Sequence, residues 1–149
     1  MRIRNEMKAD FLSIAENVGF ARMAVSAFLV PEDPTLEEIG DIKTAVSEAV
    51  TNAIVHGYKE KKGMVRVRAL LGEAGEVEIE ITDNGCGIED VEMARRPFFS
   101  GDGDERAGMG FLVMESFMDS VDVISAPGEG TSVRMRRRLG AGAVGAAAR

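Results

Sequence analysis

Within the stretch Ser47-Glu48-Ala49-Val50-Thr51-Asn52-Ala53-Ile54-Val55-His56-Gly57, an acid and an amide stand four residues apart. On a helix that spacing places Glu48 and Asn52 one turn apart and pointing the same way. Ala49, Val50, Ala53 and Ile54 form an apolar stripe beside them, so the Glu48/Asn52 edge falls at the margin of a core, where a cleft can open. An acid and an amide so placed suit a metal-bound phosphate. Taken alone, the pair is better read as a solvated helix face. Glycine-rich stretches downstream reverse that preference. Asp83-Asn84-Gly85-Cys86-Gly87-Ile88 ends an apolar alternation on an acid and two glycines, a simple turn unless something must approach the backbone closely. Gly108-Met109-Gly110 leads into the helical pattern Phe111, Leu112, Met114, Phe117 and Met118, so backbone amides and a helix N-terminus converge where a phosphate can sit. The polar, glycine-rich run Ser100 to Gly108 ahead of it reads as a lid.

The elements that must position these residues follow from period and punctuation. Met7, Ala9 and Phe11 alternate with polar neighbours, which predicts a strand over 5–12 at a sheet edge or an oligomer contact. Asn17 is placed to cap a helix running to Leu29, with Phe20, Ala21, Ala24, Val25 and Phe28 on one face and Arg22 outside it. Periodicity alone makes Arg22 a solvated residue. Pro31 and Pro34 break the chain, and Thr35 with Glu38 forms a capping box for a second helix. That helix carries the stripe Leu36, Ile39, Ile42, Val46, Ala49, Val50 and Ala53 to His56, and Gly57 is expected to stop it in a left-handed C-cap. His56, the only histidine, is expected to pack or meet the helix end rather than bind a metal. Val65, Val67 and Ala69, then Val77, Ile79 and Ile81, predict two antiparallel strands joined by a turn at Gly72 to Glu76, with outward Arg66, Arg68, Glu78 and Glu80 able to pair across them. A short helix over 89–96, a strand at Val121 to Ile124, a turn at Pro127 to Gly130 and a strand at Thr131 to Leu139 complete the pattern. The segment 140–149 is Gly/Ala-rich and is expected to be disordered, leaving one domain over 1–139.

Composition narrows the function classes. The 149 residues carry 18 basic and 25 acidic side chains, a net charge of −7 that repels nucleic acid and anionic lipid alike. No direct nucleic-acid partner and no membrane association are expected. Cys86 is the single cysteine, so no internal disulfide can form. The first residues lack a signal peptide's apolar core and no apolar run reaches spanning length, so a cytoplasmic location is expected.

Four features occur in one order: Glu48 with Asn52 on a helix, Asp83-x-Gly85-x-Gly87 after a strand, Gly108-x-Gly110 opening a helix, and Gly130-Thr131 before a strand. That order resembles the ATP-binding boxes of the gyrase, heat-shock chaperone, histidine kinase and mismatch-repair (GHKL) superfamily. Ser47 to Tyr58, Asp83 to Gly87 and Arg106 to Phe111 resemble more narrowly the small anti-sigma factor kinases, above all the anti-sigma F type of sporulating bacteria, from Asn5 to Leu139. The resemblance implies an α/β two-layer sandwich of the Bergerat type, a mixed or antiparallel sheet with helices on one face. It implies ATP and Mg2+ as cofactors, with Asn52 as the metal ligand and Glu48 as general base for the attacking hydroxyl. Asp83 resembles the carboxylate that accepts the adenine amine, Gly85 and Gly87 the close-approach glycines, Thr131 the adenine-side hydroxyl, and Gly108 and Gly110 the phosphate glycines. Arg106 resembles a lid arginine reaching the terminal phosphate, and Arg22 the arginine presented to partners. The lid departs from the family, reading Ser100-Gly101-Asp102-Gly103-Asp104 where the family has a threonine pair, a lysine and a proline; Arg106 is left as its main basic candidate.

The function so implied is that of a homodimer that holds a sporulation sigma factor (sigma F-like) inactive and phosphorylates a serine of its anti-anti-sigma antagonist. Three alternatives stand beside it. A general stress anti-sigma kinase would share the same boxes. A histidine kinase catalytic domain would need an acceptor histidine on a preceding helix pair, and His56 lies inside the nucleotide helix. A module that binds ATP and sequesters a partner without turnover would need Glu48 to be merely structural.

Overall fold

The computed structural model describes residues 1–96 and 105–140, with the backbone alone for 105–107. Five strands, β1 (Ile3–Leu12), β2 (Met64–Gly72), β3 (Glu76–Asp83), β4 (Ser120–Ser125) and β5 (Thr131–Arg138), form one antiparallel sheet in the order β1-β2-β3-β5-β4. The α-helices are α1 (Glu16–Leu29), α2 (Leu36–Asn52), α3 (Val91–Ala94) and α4 (Glu105–Phe117), with a 3-10 turn at Val30–Glu32 and a π turn at Ala53–Gly57. The period-2 pattern decides which face is covered. Val65, Val67, Ala69, Leu71, Val77, Ile79, Ile81, Val133 and Met135 are buried in one cluster with Ala21, Val25 and Leu29 of α1, Ile42, Val46 and Val50 of α2, and Phe111 and Met114 of α4.

The other face is a grid of charge. Read in strand order it runs acid (Glu6, Asp10), base (Arg66, Arg68), acid (Glu78, Glu80), base (Arg134, Arg136). The expected pairing across β2 and β3 is not the one formed. Arg66 reaches Asp10 at 2.7 Å and Arg68 reaches Glu6 at 2.6 Å, both on β1, while Arg134 reaches Glu80 at 3.0 Å and Arg136 reaches Glu78 at 2.7 Å. Glu78 and Glu80 are satisfied by β5, so the arginines of β2 turn to the edge strand. Hydrogen bonds from these arginines hold the Glu6 and Asp10 carboxyls below the usual carboxylate range.

The local signals hold in kind and shift in detail. The capping box forms: Glu38 N donates to Thr35 Oγ1 at 3.0 Å and Thr35 N to Glu38 Oε1 at 2.9 Å. Glu38 is itself buried because its second oxygen accepts Gly140 N at 2.7 Å, tying the end of β5 to the start of α2. Leu36 is not in the core; it is 91% exposed on the first turn, ahead of the point where α2 meets the sheet. Ala15, not Asn17, precedes α1, and Asn17 Nδ2 instead donates back to Leu12 O at 2.9 Å. Phe20 is half exposed, its ring set edge-on against Phe11 at 5.8 Å. The glycines Gly108 and Gly110 lie inside α4, whose described backbone begins at Glu105, rather than ahead of it. The rest of the expected lid, the Arg106 side chain and residues 141–149 of the expected tail lie outside the described residues.

Ile79 sits on the central strand with no exposed surface. Ile79→Ala is expected to lose about 2–5 kcal/mol of unfolding free energy in urea, whereas Leu36→Ala should stay within about 0.5 kcal/mol of the parent. Equal losses for the two would contradict this assignment of the core.

Candidate active site

Helix α2 delivers Glu48 and Asn52 to a crossing with α4, and the residue of α4 at the crossing is Gly110. A Cβ there would lie 3.2 Å from Glu48 Oε2 and 3.1 Å from Asn52 Nδ2, so a side chain would crowd the pair. Beside the crossing is a cavity of about 270 Å3 lined by Glu48, Thr51, Asn52, Val55, His56, Met109, Gly110 and Val113. Asn52 Nδ2 is buried without a hydrogen-bond partner. Such an orphan costs on the order of 1–3 kcal/mol, and an oxygen-rich ligand would relieve it. Because the amide can be turned over, the same side chain can offer Oδ1 to a cation and Nδ2 to a phosphate oxygen. Among the described residues no group of three or more His, Cys, Asp and Glu could hold a metal on its own. An amide oxygen of Asn52 beside the Glu48 carboxylate is chemically compatible with a magnesium ion that brings its own phosphate oxygens, the usual way that ion is bound.

The second half of the site is built where α2 meets the end of β3. After Asn52 the helix widens into one π-type turn, Ala53–Gly57, closed by Tyr58 N donating to Ala53 O at 3.0 Å. Gly57 does not take the left-handed conformation expected of it; Lys59 does, with φ 57°. Gly57 is glycine because the Asp83 carboxylate presses on it, leaving a Cβ only 2.8 Å from Oδ1. Asp83 continues the inward parity of Val77, Ile79 and Ile81, so its side chain lies on the helix side of the sheet. It is 4% exposed, and its carboxylate accepts the amides of Gly85, at 2.9 Å, and Thr131. Burial pushes its pKa up and those two amides only partly offset it. A buried carboxylate with two backbone donors keeps lone pairs for one more donor, such as an exocyclic amine.

The glycines around Asp83 are imposed by the chain's own backbone. A Cβ on Gly85 would stand 2.1 Å from Gly57 O, one on Gly87 (φ 74°) 2.0 Å from Ala126 O, and one on Gly130 (φ 78°) 2.1 Å from Asp83 O. Cys86 N donates to Gly57 O at 2.8 Å and Gly128 N to Cys86 O at 2.7 Å, closing the loop. Thr131 Oγ1 lies 2.8 Å from Ser125 Oγ, and Ser125 Oγ also accepts Ile88 N at 2.7 Å. Ser125, Thr51 and Tyr58 were not singled out from sequence, since a lone hydroxyl carries no periodic signal. Arg22, expected to be solvated, is half-buried, and its Nη1 donates to Ser47 Oγ at 2.8 Å, one residue before Glu48.

Glu48, Asn52 and Gly110 thus meet at one end of a seam, with Asp83, Gly85 and Thr131 at the other. Residues 11–137 match the histidine kinase-like ATPase domain family. The chain is 51% identical over 141 residues to the anti-sigma F factor of Thermoanaerobacter sp. (strain X514), covering 94% of this chain and 98% of that one. The chain belongs to the anti-sigma F factor family. It is also 50% identical over 137 residues to the family member of Clostridium perfringens (strain SM101 / Type A), covering 91% and 97%. Solved structures share the fold: the RsbU and RsbW domains of Rv1364c from Mycobacterium tuberculosis, at TM-score 0.65 and 23% identity, cover 91% of this chain and 32% of that one. The SiaB-SiaC complex from Pseudomonas aeruginosa, at TM-score 0.57 and 15% identity, covers 93% and 90%. The α/β fold with its antiparallel sheet is that expected of the family. No helix among the described residues is long and apolar enough to cross a membrane.

Because burial raises the Asp83 pKa above its ordinary 3.8, the folded state binds this proton more tightly than the unfolded one. The contribution of this group to stability is complete below the ordinary value and is lost as pH rises through the raised one. Asp83→Asn is therefore expected to gain melting temperature relative to the parent as pH rises above 3.8. A difference independent of pH, followed by calorimetry, would show that the carboxylate does not feel its burial.

Proposed function

We propose that this chain is an anti-sigma factor and an ATP-dependent protein serine/threonine kinase, holding a sporulation sigma factor inactive and phosphorylating a serine of its anti-anti-sigma antagonist. The observation that carries the reading is the Glu48 carboxylate standing beside the buried, unpartnered amide of Asn52 under Gly110. Family membership supplies the class of partner. Mg-ATP supplies the transferable phosphoryl group and departs as ADP. Asn52 holds the magnesium, and Glu48 accepts the proton that the serine hydroxyl loses as its oxygen bonds to phosphorus. Gly108 and Gly110 give the phosphates close access to α4, and Arg106 neutralises charge on the terminal phosphate. Asp83 accepts the adenine amine, beside Gly85, Gly87 and Thr131. The cytoplasm is its place of action.

Arg22 serves the partners. Its guanidinium is tied to Ser47 of α2, the residue before Glu48 in the chain, so a protein gripping Arg22 also bears on the helix that carries the proton acceptor. Phe20, Met23 and Val30 form an exposed apolar strip on and just beyond α1, next to the open edge of β1, and support a homodimer. A module that binds ATP and partner without turnover keeps every one of these contacts except the proton transfer, so the chemical step separates the two readings.

The test is phosphoryl transfer from labelled ATP to an anti-anti-sigma protein. Glu48→Gln is expected to lower the rate about 100- to 10,000-fold while nucleotide still binds; Asn52→Ala should weaken magnesium-dependent binding itself. Transfer at the parental rate by Glu48→Gln would exclude the general-base role, and absence of transfer by the parent protein would favour the non-catalytic module.

Arg22→Ala loses the hydrogen bond to Ser47 and is expected to cost about 0.5–1.5 kcal/mol of stability, with the fold kept and ATP bound unchanged. Its affinity for the sigma factor, the anti-anti-sigma protein or both should fall roughly thirtyfold, the loss of an arginine anchor. Undiminished binding of both would place the partner surface elsewhere.

A further inference from the structure

Tyr58 is buried just past the π turn, with no part in the cavity beside Glu48. Its ring is fixed by Gly63, where a Cβ would fall 2.2 Å from Cε1, so the chain can pass over the ring only as glycine. Its hydroxyl donates to Met64 O at 2.5 Å and accepts from Asn84 N at 2.8 Å. These two groups have a specific relation. The β2–β3 ladder is in register to Val65 opposite Asp83, so Met64 and Asn84 are the next pair along, where the ladder has opened. The phenol fills the opening, accepting the amide and donating to the carbonyl that a continued ladder would have joined directly.

We infer that Tyr58 is the positioning residue for base recognition: its hydroxyl holds β3 apart from β2 at Asn84 and so sets where the preceding residue, Asp83, presents its carboxylate. The inference rests on the assignment of Asp83 as the adenine reader. Three other contacts act on the same loop from the same turn, namely Gly57 against the Asp83 carboxylate, Gly57 O on Cys86 N, and His56 O on Cys86 Sγ at 3.2 Å. All three belong to the backbone of 56–57. The phenol contact is made by a side chain and can be removed without altering the helix. Its loss leaves Asn84 N–H in a partly buried place without its acceptor, which favours a local shift that lets the amide find another.

The test uses the full chain and Tyr58→Phe. Amide exchange of Asn84, followed by NMR without nucleotide, is expected to speed up in the variant while the β2–β3 amides from Val65 to Leu71 keep their protection. Calorimetry then compares Mg-ATP with the magnesium salt of purine riboside triphosphate, which lacks the 6-amino group. The parent should prefer ATP. Tyr58→Phe should lose about tenfold in ATP affinity, the order expected for a displaced charge-assisted hydrogen bond, with the purine riboside triphosphate affinity within about twofold of the parent, so that the preference collapses. Equal weakening toward both nucleotides would make Tyr58 a merely structural residue and overturn the inference, as would a preference retained in full. Asp83→Asn is the control for the underlying assignment: a parent protein indifferent to the amino group, with Asp83→Asn binding ATP as tightly, overturns the adenine reading itself.

Discussion

The site depends on how closely the end of α2 can approach the end of β3. With Gly57, Gly85 and Gly130 at the contact, backbone lies on backbone and the Asp83 carboxylate is sealed at 4% exposure, flanked by the amides of Gly85 and Thr131. A side chain at Gly57 or Gly85 would sit 2.1 to 2.8 Å from a neighbouring oxygen and would force the helix off the strand, while one at Gly130 would sit 2.1 Å from Asp83 O and push the turn before β5 off β3. The glycines carry the conformational entropy cost that residue always brings, and the burial of Asp83 that they permit penalises its charged form in addition. Positive φ at Gly87 and Gly130 is the second demand on the same seam, turning the chain at both of its flanks.

Charge is arranged on a different principle. The chain is acidic overall, yet the open face of the sheet is nearly neutral, because acids and bases alternate strand by strand and each finds a neighbour. The two pairs on β1 are exposed and contribute little stability each, while the two between β3 and β5 are partly buried. Their value is in register: slipping β3 by one residue would turn Glu78 and Glu80 into the core and expose Val77, Ile79 and Ile81. Arg137 is the one basic residue of β5 with inward parity, and it is accommodated by Asp41 at 2.7 Å and the carbonyl of Phe117 at 2.9 Å, joining β5 to both α2 and α4.

Much of this was legible in the sequence, for reasons that can be named. Alternation along Val65 to Ala69 and Val77 to Ile81, the Thr35/Glu38 box and the order of the glycine motifs are local signals, and local geometry obeyed them. What sequence could not supply was long-range. Gly57 looked like a helix stop because that is the commonest use of a glycine after a helix; its actual reason, the Asp83 carboxylate, is 26 residues away. Leu36 fits the apolar stripe of α2 but lies on a turn that overhangs the sheet. Arg66 and Arg68 have two acidic neighbours each, and only the position of β5 on the far side of β3 decides which they take. Arg22 falls outside the stripe of its own helix, and only the packing of α1 on α2 reveals Ser47 as its partner.

Helix α2 then carries three duties along its length. Ser47 receives Arg22, Glu48 and Asn52 face Gly110 one turn on, and the π turn after Asn52 ends at Gly57 against Asp83. The extra residue of that turn has a geometric consequence: an α-helix continued through the same segment would rotate each following carbonyl by about 100° per residue, whereas the wider turn aims the His56 and Gly57 carbonyls together at Cys86. Both carbonyls are thereby satisfied by the loop that follows Asp83 instead of by solvent or a capping residue. On the proposed reading, the base, the phosphates and the partner arginine are all referred to one rigid axis. A displacement of α2 by a docked partner would therefore act on Asn52 and on the contact with Asp83 together.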